Sequence, residues 1–320
     1  MNYAEAMFEA LYEAMGEDPS ISVVGGAMFG LGPQRSLTNR LREDYGDRFY
    51  DPPVSEGACV SIGIGAAMAG ERPVIAIGTA SFFFEAWSQA VNEAANAHYM
   101  SGGQISVPVI FHMLHGIRGG GGAQHSHSIH GMLWNAPGIQ IVMPASPADA
   151  QGLMRSALKS GNPTAFIDHG KLLGIEGEVP DGAHTVPFGK ADIKRVGKDV
   201  TVVAISYQVR ETLEAAELLA GDGIDIEIVD PRTLVPLDRD AILQSVAKTG
   251  RLVVVDEANI SCGAASEIAA IVAEEGFDLL KAPIRRVARP DIPVPFSPSL
   301  EPEVTPNAAK IRDAVRLVMG

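Results

Sequence analysis

Residues 199–230, DVTVVAISYQVRETLEAAELLAGDGIDIEIVD, read as strand, helix, strand. DVTVVAIS (199–206) and IDIEIVD (224–230) are short apolar runs rich in β-branched residues, and the stretch at about 208–220 between them has the apolar spacing of a helix. Strands that are apolar throughout and alternate with helices form parallel sheets covered on both faces. The alternation continues with strands RLVVVDE (251–257) and PIRRVA (283–288) and helices at about 238–248, 263–275 and 307–319.

The first half follows the same grammar. Residues 2–15 read as a helix with Met7, Leu11 and Met15 on one face, and Ile21–Val24 as a short strand. Ser36–Tyr45 is a polar helix. Pro52 and Pro53 prevent helix before Val54, so the next helix begins at Ser55 or Glu56. Pro73–Thr79, Val107–Leu114, Ile139–Met143 and Thr164–Asp168 read as strands, and Phe82–Tyr99 as one long helix. A further helix has Ser146 as N-cap, Pro147 in its first turn and Asp149 completing a capping box. Between Gly170 and Gly197 the chain fills with turn formers, including GEVPDGAHTVPFGK, and this is the interdomain connection. The fold class is α/β, two doubly wound domains, with boundaries at 1–185 and 190–320.

Composition excludes several functions. Of 320 residues 46% are hydrophobic and 20% charged, which is enough apolar surface for two cores and a subunit interface. A net charge of −14 argues against a nucleic-acid partner. The longest apolar run, Ala58–Ala69, is too short and too rich in glycine to span a membrane. The first residues carry acids where a secretory signal carries bases, which points to the cytoplasm, or to an organelle lumen after trimming. Cys59 and Cys262 read as buried free thiols.

Ligands of doubly wound folds sit beyond the C-terminal ends of the strands. The richest such stretch is GGGGAQHSHSIH (119–130), four glycines followed by His125, His127 and His130, with His112 and His115 just upstream. Glycine lets backbone approach a ligand closely, and histidine moves protons near neutral pH. The three loop histidines could also ligate a metal, but no Cys, Asp or Glu lies in the run to complete a tetrahedral site. Glu56 starts a helix on which Gly57, Ser61 and Gly65 recur every four residues; on residue type alone it reads as a first-turn acid. Phe82, Phe83 and Phe84 cannot all face one core, so at least one ring is left to stack on a planar ligand. The chain lacks a phosphate-loop motif and a dinucleotide fingerprint. Asp256 and Glu257 read as a solvated strand exit, and the second domain as a source of subunit contacts.

These stretches together resemble the beta subunit of the thiamine-diphosphate-dependent 2-oxo acid dehydrogenases, the family of the pyruvate, branched-chain and acetoin dehydrogenases. The resemblance runs through PPVSEGACVSIGIGAAMAG (52–70), HYMSGG (98–103), VPVIF (107–111), GGAQHSHS (121–128), PGIQIVMP (137–144), GEVP (177–180), DPRTLVPLD (230–238), TGRLVVVDE (249–257) and PDIPVPFS (290–297), in that order. It implies a pyrimidine-binding domain followed by a transketolase C-terminal-like domain. It implies thiamine diphosphate and Mg²⁺, with the diphosphate and metal held mainly by a separate alpha subunit, in an assembly of two alpha and two beta chains that serves a lipoyl-bearing acyltransferase core.

In the family's pattern Glu56 falls on the glutamate that hydrogen-bonds the aminopyrimidine ring, Phe82 on the aromatic packed against it, and His125 on the histidine that steers substrate and acyl transfer. The family's monovalent cation site, K⁺, falls on the backbone of Ala157, Leu158, Ser160 and Asn162. His112, His127 and His130 depart from the family's usual residues and read as substrate-loop groups. They motivate a second reading, a non-oxidative transketolase-like or acyloin-forming carboligase. Val24-Gly25-Gly26, where many members have Gly-Glu-Asp, motivates a third, a catalytically silent scaffold subunit.

Overall fold

The computed structural model describes residues 1–26, 28–30 and 32–320. The chain divides into two compact units, Met1–His115 with Leu133–Phe188, and Gly116–Met132 with Gly189–Gly320.

In the first unit, helix α1 (Tyr3–Glu17) starts from a reciprocal cap. Asn2 accepts from the Glu5 N–H, and the Glu5 carboxylate accepts from the Asn2 N–H. The chain continues through β1 (Ile21–Val24), α2 (Arg35–Asp44), β2 (Phe49–Tyr50), α3 (Glu56–Met68) and β3 (Arg72–Thr79). After α4 (Ala95–Met100) and β4 (Ile110–His115) it passes through the short α5 (His130–Trp134) into β5 (Gln140–Val142), α6 (Pro147–Lys159) and β6 (Thr164–His169). The strands lie side by side in the order β5-β6-β4-β3-β1-β2, all parallel. Every residue of β1, β4 and β6 is buried, as apolar runs covered on both faces must be. Helix α3 lies tightly on this sheet at Gly63, where a methyl group would stand 2.7 Å from Ile75 Cγ1.

One local reading is revised. The segment expected as one helix over Phe82–Tyr99 is a 3₁₀ turn (Ala80–Ala86), then a π-helix (Gln89–Ala94), then α4. The Ala95 N–H reaches back to Ala90 O, and the Asn96 amide donates to Val91 O at 3.0 Å and Asn92 O at 3.3 Å, which widens the turn. At the start of α6 the Ser146 hydroxyl accepts from the Asp149 N–H, while the Asp149 carboxylate accepts from that same hydroxyl.

The second unit runs β7 (Asp192–Arg195), β8 (Val200–Ala204), α7 (Gln208–Ala220), β9 (Ile226–Asp230), β10 (Thr233–Val235), α8 (Arg239–Thr249), β11 (Leu252–Asn259), α9 (Ala264–Glu275), β12 (Arg285–Arg289), α10 (Glu301–Val304) and α11 (Ala308–Met319). Its sheet has the order β12-β11-β8-β9-β7. The expectation of a purely parallel sheet is corrected here, since β7 runs antiparallel to β9. That edge strand comes from the turn-rich stretch read as a connection, and its charged sequence, DIKR, suits an edge. Cys59 is buried, but Cys262 is exposed, at φ 57° in the turn between β11 and α9. Among the described residues no helix is long and apolar enough to cross a membrane.

Candidate active site

Glu56 is the first residue of α3, half-buried, and follows an extended Ser55 that makes no side-chain cap. The prolines before it set this start by forbidding helix further upstream. A Cβ on neighbouring Gly57 would lie 3.0 Å from Glu85 O, so the helix carrying Glu56 packs on the turn carrying Phe82. Burial pushes the Cys59 thiol up, and the nearby Glu56 charge adds to that shift.

The three phenylalanines diverge as their crowding requires. Phe83 is fully buried, with its ring centroid 5.2 Å from Phe111 and 6.4 Å from Trp87. Phe84 is exposed and leans on Trp87, with centroids 6.3 Å apart. Phe82 is half-buried between these extremes.

His112 is not a loop residue. It lies inside β4, fully buried, with Nε2 2.7 Å from Asp168 Oδ2. The Tyr3 hydroxyl donates to the other oxygen of the same carboxylate. The strand continues three residues past His112 to His115, whose ring meets His169 edge-to-face at 5.0 Å. Tyr3, Asp168 and His169 were not legible as partners because they lie far away in sequence or in apolar runs.

The glycine and histidine loop, residues 116–132, belongs to the second unit. Gly119, Gly120 and Gly122 have φ of 90°, 73° and 61°, a left-handed path that side chains rarely follow. His125 is exposed at the end of a 3₁₀ turn, Ala123–His125, and its carbonyl accepts from Arg118 Nη2 at 2.9 Å. The next carbonyl, Ser126 O, accepts from Arg289 Nη1 at 2.8 Å. His127 is half-buried, and burial followed by the Arg289 charge pushes its pKa below the ordinary histidine value. His130 is buried with Nε2 2.9 Å from Asp256 Oδ1. At the other end of the loop the Ile117 N–H donates to Glu257 Oε1 at 2.5 Å, and the Gly120 N–H to Glu301 Oε1 at 2.7 Å. Asp256 and Glu257 are thus the loop's anchors, and the expectation of a solvated strand exit is overturned: they are 1% and 2% exposed.

Among the described residues no three His, Cys, Asp or Glu side chains converge as a metal site. The four carbonyls expected to hold a monovalent cation already accept hydrogen bonds. Ala157 O takes the Ser160 N–H, Leu158 O and Ser160 O take Arg72 Nη1 at 3.2 and 2.9 Å, and Asn162 O takes the Thr164 hydroxyl. Two of these acceptors face the Arg72 guanidinium, and each carbonyl oxygen keeps a second lone pair.

Comparison with known proteins matches residues 1–176 to the transketolase pyrimidine-binding domain and residues 189–311 to the transketolase C-terminal domain. The chain is 42% identical to the beta subunit of acetoin:2,6-dichlorophenolindophenol oxidoreductase from Cupriavidus necator, covering 98% of this chain and 96% of that one. It is 39% identical to the beta subunit of the pyruvate dehydrogenase E1 component from Rickettsia felis, covering 98% and 97%. Among solved structures, a split-gene transketolase described as an inactive beta4 tetramer superposes with a TM-score of 0.82 over 98% of this chain and 97% of that one, at 24% identity, a likeness of fold. Two transketolase-type domains in this order and full-length kinship at this level place the chain in the family of acetoin and pyruvate dehydrogenase beta subunits.

Proposed function

We propose that this chain is the beta subunit of a thiamine-diphosphate-dependent dehydrogenase of acetoin or a 2-oxo acid, active together with a separate alpha subunit. The observation that carries the reading is Glu56 at the head of α3, on a helix whose next residue packs against the turn bearing Phe82. A half-buried carboxylate on a helix that packs against the turn bearing a half-buried ring fits an aminopyrimidine. The Glu56 carboxyl would share its proton with a ring nitrogen, donating the hydrogen bond, and Phe82 would pack on the ring's face. The cofactor supplies the electron sink for cleaving the bond next to the substrate carbonyl. His125 offers an exposed imidazole for steering the substrate, on a loop whose backbone is held before it at Gly120 and after it at Ser126.

The diphosphate and Mg²⁺ would be held by the alpha subunit, in an assembly of two alpha and two beta chains that hands its acyl group to a lipoyl-bearing partner in the cytoplasm. No step is routed through K⁺. The carboligase reading rested on three extra loop histidines. Two of them, His112 and His130, are committed to buried carboxylates, which leaves it His127 alone.

The test is turnover of acetoin and of 2-oxo acids by the chain co-purified with its alpha subunit, before and after Glu56→Gln. Loss of about a hundredfold or more is expected, the scale of general acid–base participation. Unchanged turnover would overturn the assignment and favour a silent scaffold.

A further inference from the structure

Strand β11 carries, near its C-terminal end, two consecutive acids that are almost entirely removed from water. Burying adjacent carboxylates is costly, and persists only where each finds charge and hydrogen-bond partners. Asp256 Oδ1 accepts from the Ala258 N–H at 3.0 Å and faces His130 Nε2 at 2.9 Å, and Oδ2 accepts from the Ala265 N–H at 3.3 Å in the first turn of α9. Burial pushes this carboxyl up, but the His130 charge and the donated hydrogen bonds more than offset it and hold it below the ordinary aspartate value. Glu257 takes the Ile117 N–H through one oxygen and the Gln208 amide, at 3.1 Å, through the other. One strand end therefore grips both ends of the glycine and histidine loop, while Arg289 on the next strand holds its middle at Ser126.

We propose that Asp256 is a positioning residue for the reaction, acting through His130. The inference rests on the dehydrogenase reading above and deepens it. Asp256 is fixed from behind by two backbone N–H groups of the second unit, so its free direction is toward the loop. His130 is joined to His125 by four intervening residues, of which Ser126 and Ile129 are buried. Locking His130 thus fixes the C-terminal side of the stretch that presents His125. The glycine run cannot do this, because its freedom is what the clamp must overcome.

The experiment compares Asp256→Asn, His130→Gln and the double variant in the complete alpha–beta complex. It reads kcat, KM, thiamine diphosphate affinity and backbone hydrogen exchange over residues 116–132. His130→Gln leaves the α9 end of Asp256 intact, so it keeps the test sound if Asp256→Asn does not fold. Each single variant should lower kcat about tenfold with cofactor affinity within twofold of wild type, and should raise exchange in the loop but not in β8 or β11. The double variant should be no worse than the worse single one, as expected for residues acting as one unit. Wild-type kcat in His130→Gln, additive losses in the double variant, or exchange rising evenly through the whole unit would each overturn the proposal. A wild-type complex inert toward acetoin and 2-oxo acids would instead defeat the dehydrogenase reading, and the exchange measurement would still report on the clamp.

Discussion

The His112 imidazole and the Asp168 carboxylate meet at 2.7 Å on neighbouring parallel strands, with neither side chain exposed to water. The Tyr3 hydroxyl shares that carboxylate, so the first residue of α1 is tied to the middle of the sheet. Asp168→Ala leaves a buried imidazole and a buried phenol without their acceptor. Removing one partner of a buried pair costs about 3–5 kcal/mol. Chemical denaturation of the purified chain should show a loss of that size, and a change below about 1 kcal/mol, the net worth of one ordinary hydrogen bond, would refute the account.

Two glycines on α3 should respond oppositely to the same substitution. A methyl at Gly63 would press on Ile75, and overpacking of a tight core costs about 1–3 kcal/mol. Nothing lies within 4 Å of the corresponding position at Gly65. There alanine should stabilise the chain by about 0.5–1 kcal/mol through helix propensity alone. Thermal unfolding of the two variants checks the signs, and two shifts in the same direction would contradict the packing described.

His127 makes stability depend on pH. Its folded pKa is lowered, by burial first and by Arg289 second. In the unfolded chain it gains its proton near about pH 6.5. As pH falls through that value the unfolded state takes up the proton first, so stability is lost on acidification and regained as pH rises. Unfolding free energies between pH 5 and 8 should therefore slope more gently in His127→Gln than in the parent. Parallel curves would remove His127 from the cause.

The π-helical turn depends on one amide. Asn96→Ala deletes two hydrogen bonds to backbone carbonyls, a loss of about 1 kcal/mol in denaturant unfolding. Stability equal to the parent would mean that the wide turn holds without its side chain.

Element type was legible wherever apolar period and backbone chemistry agreed. Strands β1, β8, β9 and β11 stand out as β-branched runs, and the start of α3 is dictated by Pro52 and Pro53. The 80–100 segment was not legible as a π-helix, because the cause is one asparagine amide turning inward among residues that all suit an ordinary helix. Strand β7 escaped notice because four charged or isolated apolar residues carry no period, and its pairing depends on β9, some thirty residues away. A helix start, an aromatic crowd and a glycine run are local signals that draw notice to Glu56, Phe82 and His125, but the roles proposed for them come from the family pattern. Asp256 gives no such signal. A carboxylate after four valine and leucine positions reads as a strand leaving the core until His130, 126 residues earlier, is seen to meet it.

The assignment of residues 116–132 to the second unit means that the chain crosses between units at His115–Gly116, at Met132–Leu133 and again at Phe188–Gly189. The two halves are therefore not beads that one cut can separate. A fragment beginning at Gly189 would carry Asp256, Glu257 and Arg289 but not the backbone groups and imidazole that hydrogen-bond them. Recombination between relatives would meet the same obstacle: a foreign C-terminal half arrives fitted to another loop, so the heritable module is the C-terminal half together with a short passage of the N-terminal one.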